Sequence, residues 1–410
     1  MIAPKLRFKE FDGDWTLQNL GDSFSLISGY AFPSSSSVDV GARWLKIADV
    51  GIQEMTPNNP SYLPLEYLDK YSQFIVSKND YVIALTRPIL NKKLKIAKVG
   101  ELYDGALLNQ RVAKIYSKTN NLEFIYSLLQ KSKTVEELEN SIAGTDPPNL
   151  SLNDVKEIKL GFPSKEEQMK IASFLTAVDE KISQLSQKLH LLGQYKQGMM
   201  QKLFSQQIRF KADDGSEFGE WDEYSLDTLL SKIIDNRGKT PVTEANLEIP
   251  LIEVNAIGQR RIKYEKVSKY FSEDTFQNWF RAYLEHQDIL FSTVGNTAIC
   301  SIYTDEIKAG IAQNIVGLRA NTKLIQPTFL YYLLTEISNN QKFKSIEMQA
   351  VQPSIKVSQM IHLTFLTPCL EEQTKIANFL SSIDQKIEVT AQQIEQAKLW
   401  KKGLLQQMFV

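Results

Sequence analysis

The chain holds few residues that could do chemistry unaided. Its two cysteines, Cys300 and Cys369, share no CxxC spacing, and its three histidines, His190, His286 and His362, are scattered. That pattern argues against a disulfide framework and against a thiolate or imidazole metal site, so no metal ligands are assigned. Asp146-Pro147-Pro148-Asn149 resembles the Asp-Pro-Pro-aromatic motif of amino-methyltransferases, but asparagine replaces the ring that would stack on a flipped base. No glycine-rich cofactor loop accompanies it, and a turn is expected there. Gly238-Lys239-Thr240 looks like the end of a phosphate-binding loop, yet Ile233 stands where that loop requires its first glycine. Neither HExxH nor GxSxG occurs. No residue is assigned a catalytic role.

What remains are cations placed to meet phosphates or base edges. Arg87, Lys92, Lys93, Lys95 and Lys98 fall together without an acid, with Asn91 among them. Arg260, Arg261, Lys263, Lys266 and Lys269 form a second cluster, broken only by Glu265. Arg237 and Lys239 add a basic loop. Cations beside Asn, Gln and Tyr suit contact with DNA. The candidate DNA-binding residues are Arg87, Asn91, Lys92, Lys93, Lys95, Arg237, Lys239, Arg260, Arg261, Lys263 and Asn296. Charge runs more often form a solvated face, and a net charge of −1 does not by itself announce nucleic acid.

The elements that would position these residues are written in a repeat. EEQMKIASFL at 166–175 returns as EEQTKIANFL at 371–380. Sliding the chain by 205 positions aligns 166–205 with 371–410 without a gap, and sixteen of the forty pairs are identical. Upstream the similarity fades. Leu6-Arg7-Phe8-Lys9 with Trp15 answers Ile208-Arg209-Phe210-Lys211 with Trp221; Asp80 answers Asp288 and Gln110 answers Gln313. The chain reads as two divergent modules on two nearly copied connectors: 1–160, 161–206, 207–365 and 366–410. Such internal repeats define architecture before any local feature does.

Each connector is expected to be a long helix. Ile171, Leu175, Val178, Ile182, Leu185 and Leu189 step by three and four, as do Ile376, Leu380, Ile383, Ile387 and, further on, Ile394. Lys196 and Lys401 fall on the same stripes. This is a coiled-coil seam, and a seam must be covered. The simplest cover is the other copy, in antiparallel pairing, which returns the C-terminus to the first module. The modules mix alternating apolar runs with helical patches, giving an α/β (α+β) class. At 43% hydrophobic and 23% charged, the composition is that of a water-soluble protein. There is no apolar leader and no transmembrane run, and the cysteine usage fits a reducing cytoplasm.

At this point the chain resembles the specificity subunits of type I restriction–modification enzymes. The resemblance rests on P-x-x-x-EQ-x-KIA-x-FL at Pro163–Leu175 and Pro368–Leu380, and on DxKI at Asp179 and Asp384. It rests also on K-x-G-x-x-Q-x-x-F at Lys196 and Lys401, and on the Asp80 and Asp288 strands. It implies two target-recognition domains in pseudo-twofold, circular arrangement, each reading half of a bipartite site in double-stranded DNA. It implies that the antiparallel helices set the half-site spacing and dock two modification (methyltransferase) subunits. Glu167, Gln168, Lys170, Glu372, Gln373 and Lys375 are the expected docking residues. Two motor-nuclease subunits would join for restriction. S-adenosylmethionine, ATP and Mg²⁺ would belong to those partners, with this chain non-catalytic, cytoplasmic and nucleoid-associated when on DNA. A two-module protein scaffold, or a self-contained methyltransferase or nuclease, are the alternatives.

Overall fold

Short β-branched and aromatic runs bounded by Gly, Asn and Asp favour strands, and the chain forms them twice over. A computed structural model describes residues 3–57, 60–142, 147–236, 238, 241–304, 306–349 and 351–410. The chain divides into two units, residues 1–186 with 392–410, and residues 187–391.

Unit 1 is built on a four-stranded antiparallel sheet of β1 (Ser25–Ser28), β2 (Tyr81–Ala84), β3 (Ile96–Lys98) and β4 (Val112–Tyr116), in the order β1-β4-β2-β3. Every residue of β2 is buried, as a central strand covered on both faces requires. A second sheet orders Tyr62–Leu63, Ala42–Leu45, Ala106–Leu108 and Ile75–Val76, with a parallel pair at its centre. Thr16–Asn19 pairs with Lys159–Phe162, tying the start of the module to its end. Helix Leu122–Leu128 begins at Asn121, whose side chain accepts the Phe124 N–H at 2.9 Å, a standard N-cap.

Unit 2 repeats the plan. Strands β5 (Leu230–Ile234), β6 (Ile289–Ser292), β7 (Cys300–Ile302) and β8 (Ile315–Ala320) run β5-β8-β6-β7. Ile249–Ile252 lies between Tyr270–Phe271 and Gly310–Ile311, again with one parallel pair. Asp222–Ser225 pairs with Thr364–Thr367. Helix Pro327–Thr335 carries proline in its first turn, where no N–H is needed.

The two connectors are helices Lys165–Phe204 and Leu370–Gln407, each roughly 60 Å long at 1.5 Å per residue. In unit 1, Ile171, Leu175 and Val178 from the start of the central helix share a core with Leu404, Leu405 and Met408 from the end of the C-terminal helix. In unit 2, Ile376, Leu380 and Ile383 share one with Met200 and Leu203. Start packs on end in both cases, so the two helices run antiparallel. Leu185 and Ile394 are also buried, while Ile182, Leu189 and Ile387 are half-buried. The C-terminus reaches unit 1: the Leu6 N–H donates to Gln407 O at 2.9 Å, and at the continuous junction in unit 2 the Ile208 N–H donates to Lys202 O at 3.2 Å. Among the described residues no helix is long and apolar enough to cross a membrane.

Candidate nucleic-acid interface

The first basic cluster folds into a hairpin. Ile89–Leu90 pairs with Lys93–Leu94 across a two-residue turn in which Asn91 (φ 51°) and Lys92 (φ 58°) are both left-handed. Those angles are type I′, whose twist matches paired strands. The Lys95 N–H closes the hairpin base onto Pro88 O at 2.7 Å. Arg87, Asn91, Lys92 and Lys93 are exposed; Lys95 is half-buried, and burial lowers the pKa of its ammonium. Lys98 faces away, 3.4 Å from Glu123.

Beside the hairpin lies a cleft of about 590 Å³. Leu26, Leu85 and Leu150 line it, and Thr86, Gln110, Arg111 and Asn149 supply its polar groups. Thr86 Oγ1 donates to Asn149 Oδ1 at 2.7 Å. The Arg87 and Arg111 guanidinium groups have no acidic partner among the described residues, whereas Lys78, Lys98 and Lys114 do. Unpaired cations beside a polar cleft suit an anionic ligand. Sequence reasoning missed Gln110 and Arg111 as site residues; the recurrence of Gln110 as Gln313 was the available signal.

The second basic cluster is used differently. Arg260 and Arg261 lie against the C-terminal helix within unit 2, lining a cavity of about 290 Å³ with Asn378, Ser381, Ser382, Gln385 and Glu388. The Arg261 Nε is 3.6 Å from Glu388 Oε2. Lys263 is half-buried, and Lys269 pairs with Glu253 at 2.7 Å. Asn296 is exposed in the β6–β7 loop, at the other end of that hairpin from the Arg261–Ile302 bridge. The structure therefore does not gather Arg260, Arg261 and Asn296 at one place. Arg237 and Lys239 lie outside the described residues, as does Asp146.

Four of the six expected docking residues, Glu167, Gln168, Glu372 and Gln373, need correction. Glu167 is buried; its carboxylate accepts the Arg7 Nε and Nη2 at 2.8 and 2.7 Å and the Trp15 indole N–H at 3.3 Å. Glu372 repeats this with Arg209 (3.1 and 2.7 Å) and Trp221 (3.2 Å). Gln168 accepts the Asn121 N–H and donates to Asn120 Oδ1 and Pro163 O. Gln373 accepts the Gln326 N–H and donates to Leu324 O and Pro368 O. Buried side chains whose polar atoms are all satisfied within their own unit offer a partner nothing; they fasten module to helix. Lys170 sits 3.4 Å from Glu10 and Lys375 2.5 Å from Asp213, both toward solvent.

Two further polar contacts lie on the helix stripes. In unit 1 the buried Lys401 ammonium meets Asp179 at 2.7 Å, Gln130 at 3.0 Å and Gln53 at 3.2 Å, which satisfies its three donors. In unit 2 Lys196 meets Asp384 at 2.6 Å, and the Tyr332 hydroxyl donates to the same carboxylate at 2.6 Å. A polar pair within an apolar seam selects one register.

Comparison with known proteins agrees with this plan. A family model described as type I restriction modification DNA specificity domain matches residues 13–192 and again 219–399. The MjaVIII specificity subunit of a type I restriction enzyme from Methanocaldococcus jannaschii is 31% identical over 209 residues, 50% of this chain and 49% of that protein. The chain thus spans about half the length of that relative. The putative MjaX specificity subunit of the same organism is 24% identical over 419 residues, covering 98% of this chain and 94% of that one. The fold is shared with the S subunit of a type I restriction–modification system from M. genitalium, at a TM-score of 0.62 and 16% identity over 100% of this chain and 99% of that chain. Two matches on a duplicated fold leave one conclusion: the chain belongs to the type I restriction modification DNA specificity domain family.

Proposed function

We propose that this chain is the DNA-recognition subunit of a type I restriction–modification assembly. Each unit reads one half of a bipartite site in double-stranded DNA, unit 1 through module 1–160 and unit 2 through module 207–365. The central and C-terminal helices keep the half-sites in register and dock two modification subunits; two motor-nuclease subunits join for restriction. Adenine methylation and ATP-driven cleavage are done by those partners, which bring S-adenosylmethionine, ATP and Mg²⁺. The protein works in the cytoplasm.

The observation that carries this reading is the duplicated specificity domain, in which framework contacts recur while exposed loops differ. A recogniser of two unlike half-sites needs that combination. The half-sites must lie on one face of the duplex, roughly 34–36 Å or a multiple apart. Phosphate contacts from the unpaired cations would make affinity fall steeply with salt. The test is a footprint of the chain with its modification subunits on DNA selected from a random pool. A gapped, two-part footprint is expected. Binding that prefers no sequence at any salt concentration would remove the proposal and leave the protein-scaffold reading.

A further inference from the structure

Beneath their different side chains the two units hold one loop platform. In unit 1 the Leu85 N–H donates to Arg111 O at 2.8 Å, the Arg87 N–H to Pro148 O at 2.7 Å, and the Leu150 N–H returns to Leu85 O at 2.7 Å. In unit 2 the Thr293 N–H donates to Asn314 O at 2.8 Å, the Gly295 N–H to Pro353 O at 2.9 Å, and the Ile355 N–H to Thr293 O at 2.8 Å. Thr86 bridges Asn149, and Val294 bridges Ser354. Even the unusual torsion recurs, with φ 46° at Arg87 and 82° at Gly295. Bond for bond, the strand exit, the turn before the next strand and the segment after the helices are latched in the same way.

On this common frame the residues diverge. Thr86 corresponds to Val294, Arg87 to Gly295, Arg111 to Asn314 and Asn149 to Ser354. Gln110 and Gln313 are the same. Arg87, Gln110, Arg111 and Asn149 are exposed on backbone fixed by those bonds. Arginine is disfavoured in the left-handed region, where unit 2 uses glycine. An arginine at that torsion costs the backbone energy, which a role for its side chain would explain.

We propose that this platform is the base-reading site of each unit, and that the four differing positions make the two half-sites unlike. This rests on the DNA-recognition reading above. Arginine pairs bidentately with guanine and Asn or Gln with adenine, in a fixed donor and acceptor geometry. Such readout needs side chains held on rigid backbone, which the latches supply. Gln110 and Gln313 supply the contact common to both halves. The unit 1 cleft is lined by Gln110, Arg111 and Asn149; Asn149 accepts from Thr86 Oγ1 and donates to Pro147 O, bonds it would exchange for a base edge.

The test uses the full chain with its modification subunits and selection from a randomised duplex pool. Arg111→Asn and Asn149→Ser each install the unit 2 residue; the exposed Lys133→Ala is the remote charge control. Unfolding of each variant is compared with the wild type to exclude misfolding. Each graft is expected to change base preference at one position of one half-site by about 10-fold or more, leaving the other half, the gap and the control unchanged. An unchanged consensus, or an equal loss on all sequences, would overturn the proposal. If the wild-type complex itself selects no sequence, the recognition reading fails instead, which separates the two.

Discussion

Replacing Glu372 with leucine tests whether the copied helix start is a joint or a docking surface. The carboxylate has no exposure and receives three hydrogen bonds, two from Arg209 and one from the Trp221 indole. Removing one partner of a buried pair costs about 3–5 kcal/mol. Glu372→Leu should fall near the lower end. The Arg209 side chain is 20% exposed and keeps its bond to Gly219 O at 2.6 Å, so it can partly rehydrate. Arg209→Met should fall near the upper end, because it strands a carboxylate of 0% exposure. The double variant should recover much of the loss, since both charges are then gone. Urea unfolding of the full chain, followed by tryptophan fluorescence, reads this as a double-mutant cycle. A loss of about 3 kcal/mol lowers Tm by roughly 6–12 °C for a unit of this size. A shift below about 1 kcal/mol, with binding of the modification subunits abolished, would refute the joint and restore the docking surface.

Three other expectations follow from the same contacts. Lys401→Met leaves Asp179, Gln53 and Gln130 without their shared donor and should cost unit 1 about 1–3 kcal/mol, read by the same unfolding assay; no loss would mean the seam tolerates any register. Lys92→Gly relieves about 1–2 kcal/mol of left-handed strain against about 0.5–1 kcal/mol of added chain entropy, so stability should hold or rise by up to about 1 kcal/mol, while the log–log salt slope of DNA binding drops by about 0.9; an unchanged slope would show that Lys92 meets no phosphate. Burial pushes the Cys300 thiol pKa up while Cys369 is exposed, so one thiol per native chain should react with a thiol reagent and two after denaturation; rapid reaction of both in the native state would contradict the buried β7.

The long helices were legible because two signals coincide in them, a heptad stripe and a literal copy. The recognition modules were legible only in class, because their sheets are assembled from pieces as short as Ile75–Val76 and Gly310–Ile311. Periodicity does not register in two residues. The buried acids were misplaced for a different reason. A residue copied in both repeats is under constraint, but the copy does not say whether the constraint faces inward. The clue was that Arg7, Trp15 and Glu167 recur together as Arg209, Trp221 and Glu372: a cation, an indole donor and an acid that travel as a set are partners. The basic clusters were legible only in part. Neighbours in sequence such as Arg87 and Lys98, or Arg261 and Lys269, are separated by tertiary pairing with Glu123, Glu388 and Glu253. The cleft draws Thr86, Arg111 and Asn149 from three distant segments, so no linear scan could assemble it.

Unit 1 closes its core with the last residues of the chain: the Phe409 ring lies 5.2 Å from Phe124 and 6.4 Å from Trp15. Unit 2, at 187–391, is one uninterrupted stretch. The second unit, then, needs nothing beyond residue 391 to complete its core. The first emerges early yet waits through some two hundred residues of synthesis, with Trp15, Phe124 and Ile171 lacking their final cover. Non-local closure of this kind is slow and leaves apolar surface open to misassembly. A chain cut off after residue 391 would carry a complete second unit and an unfinished first.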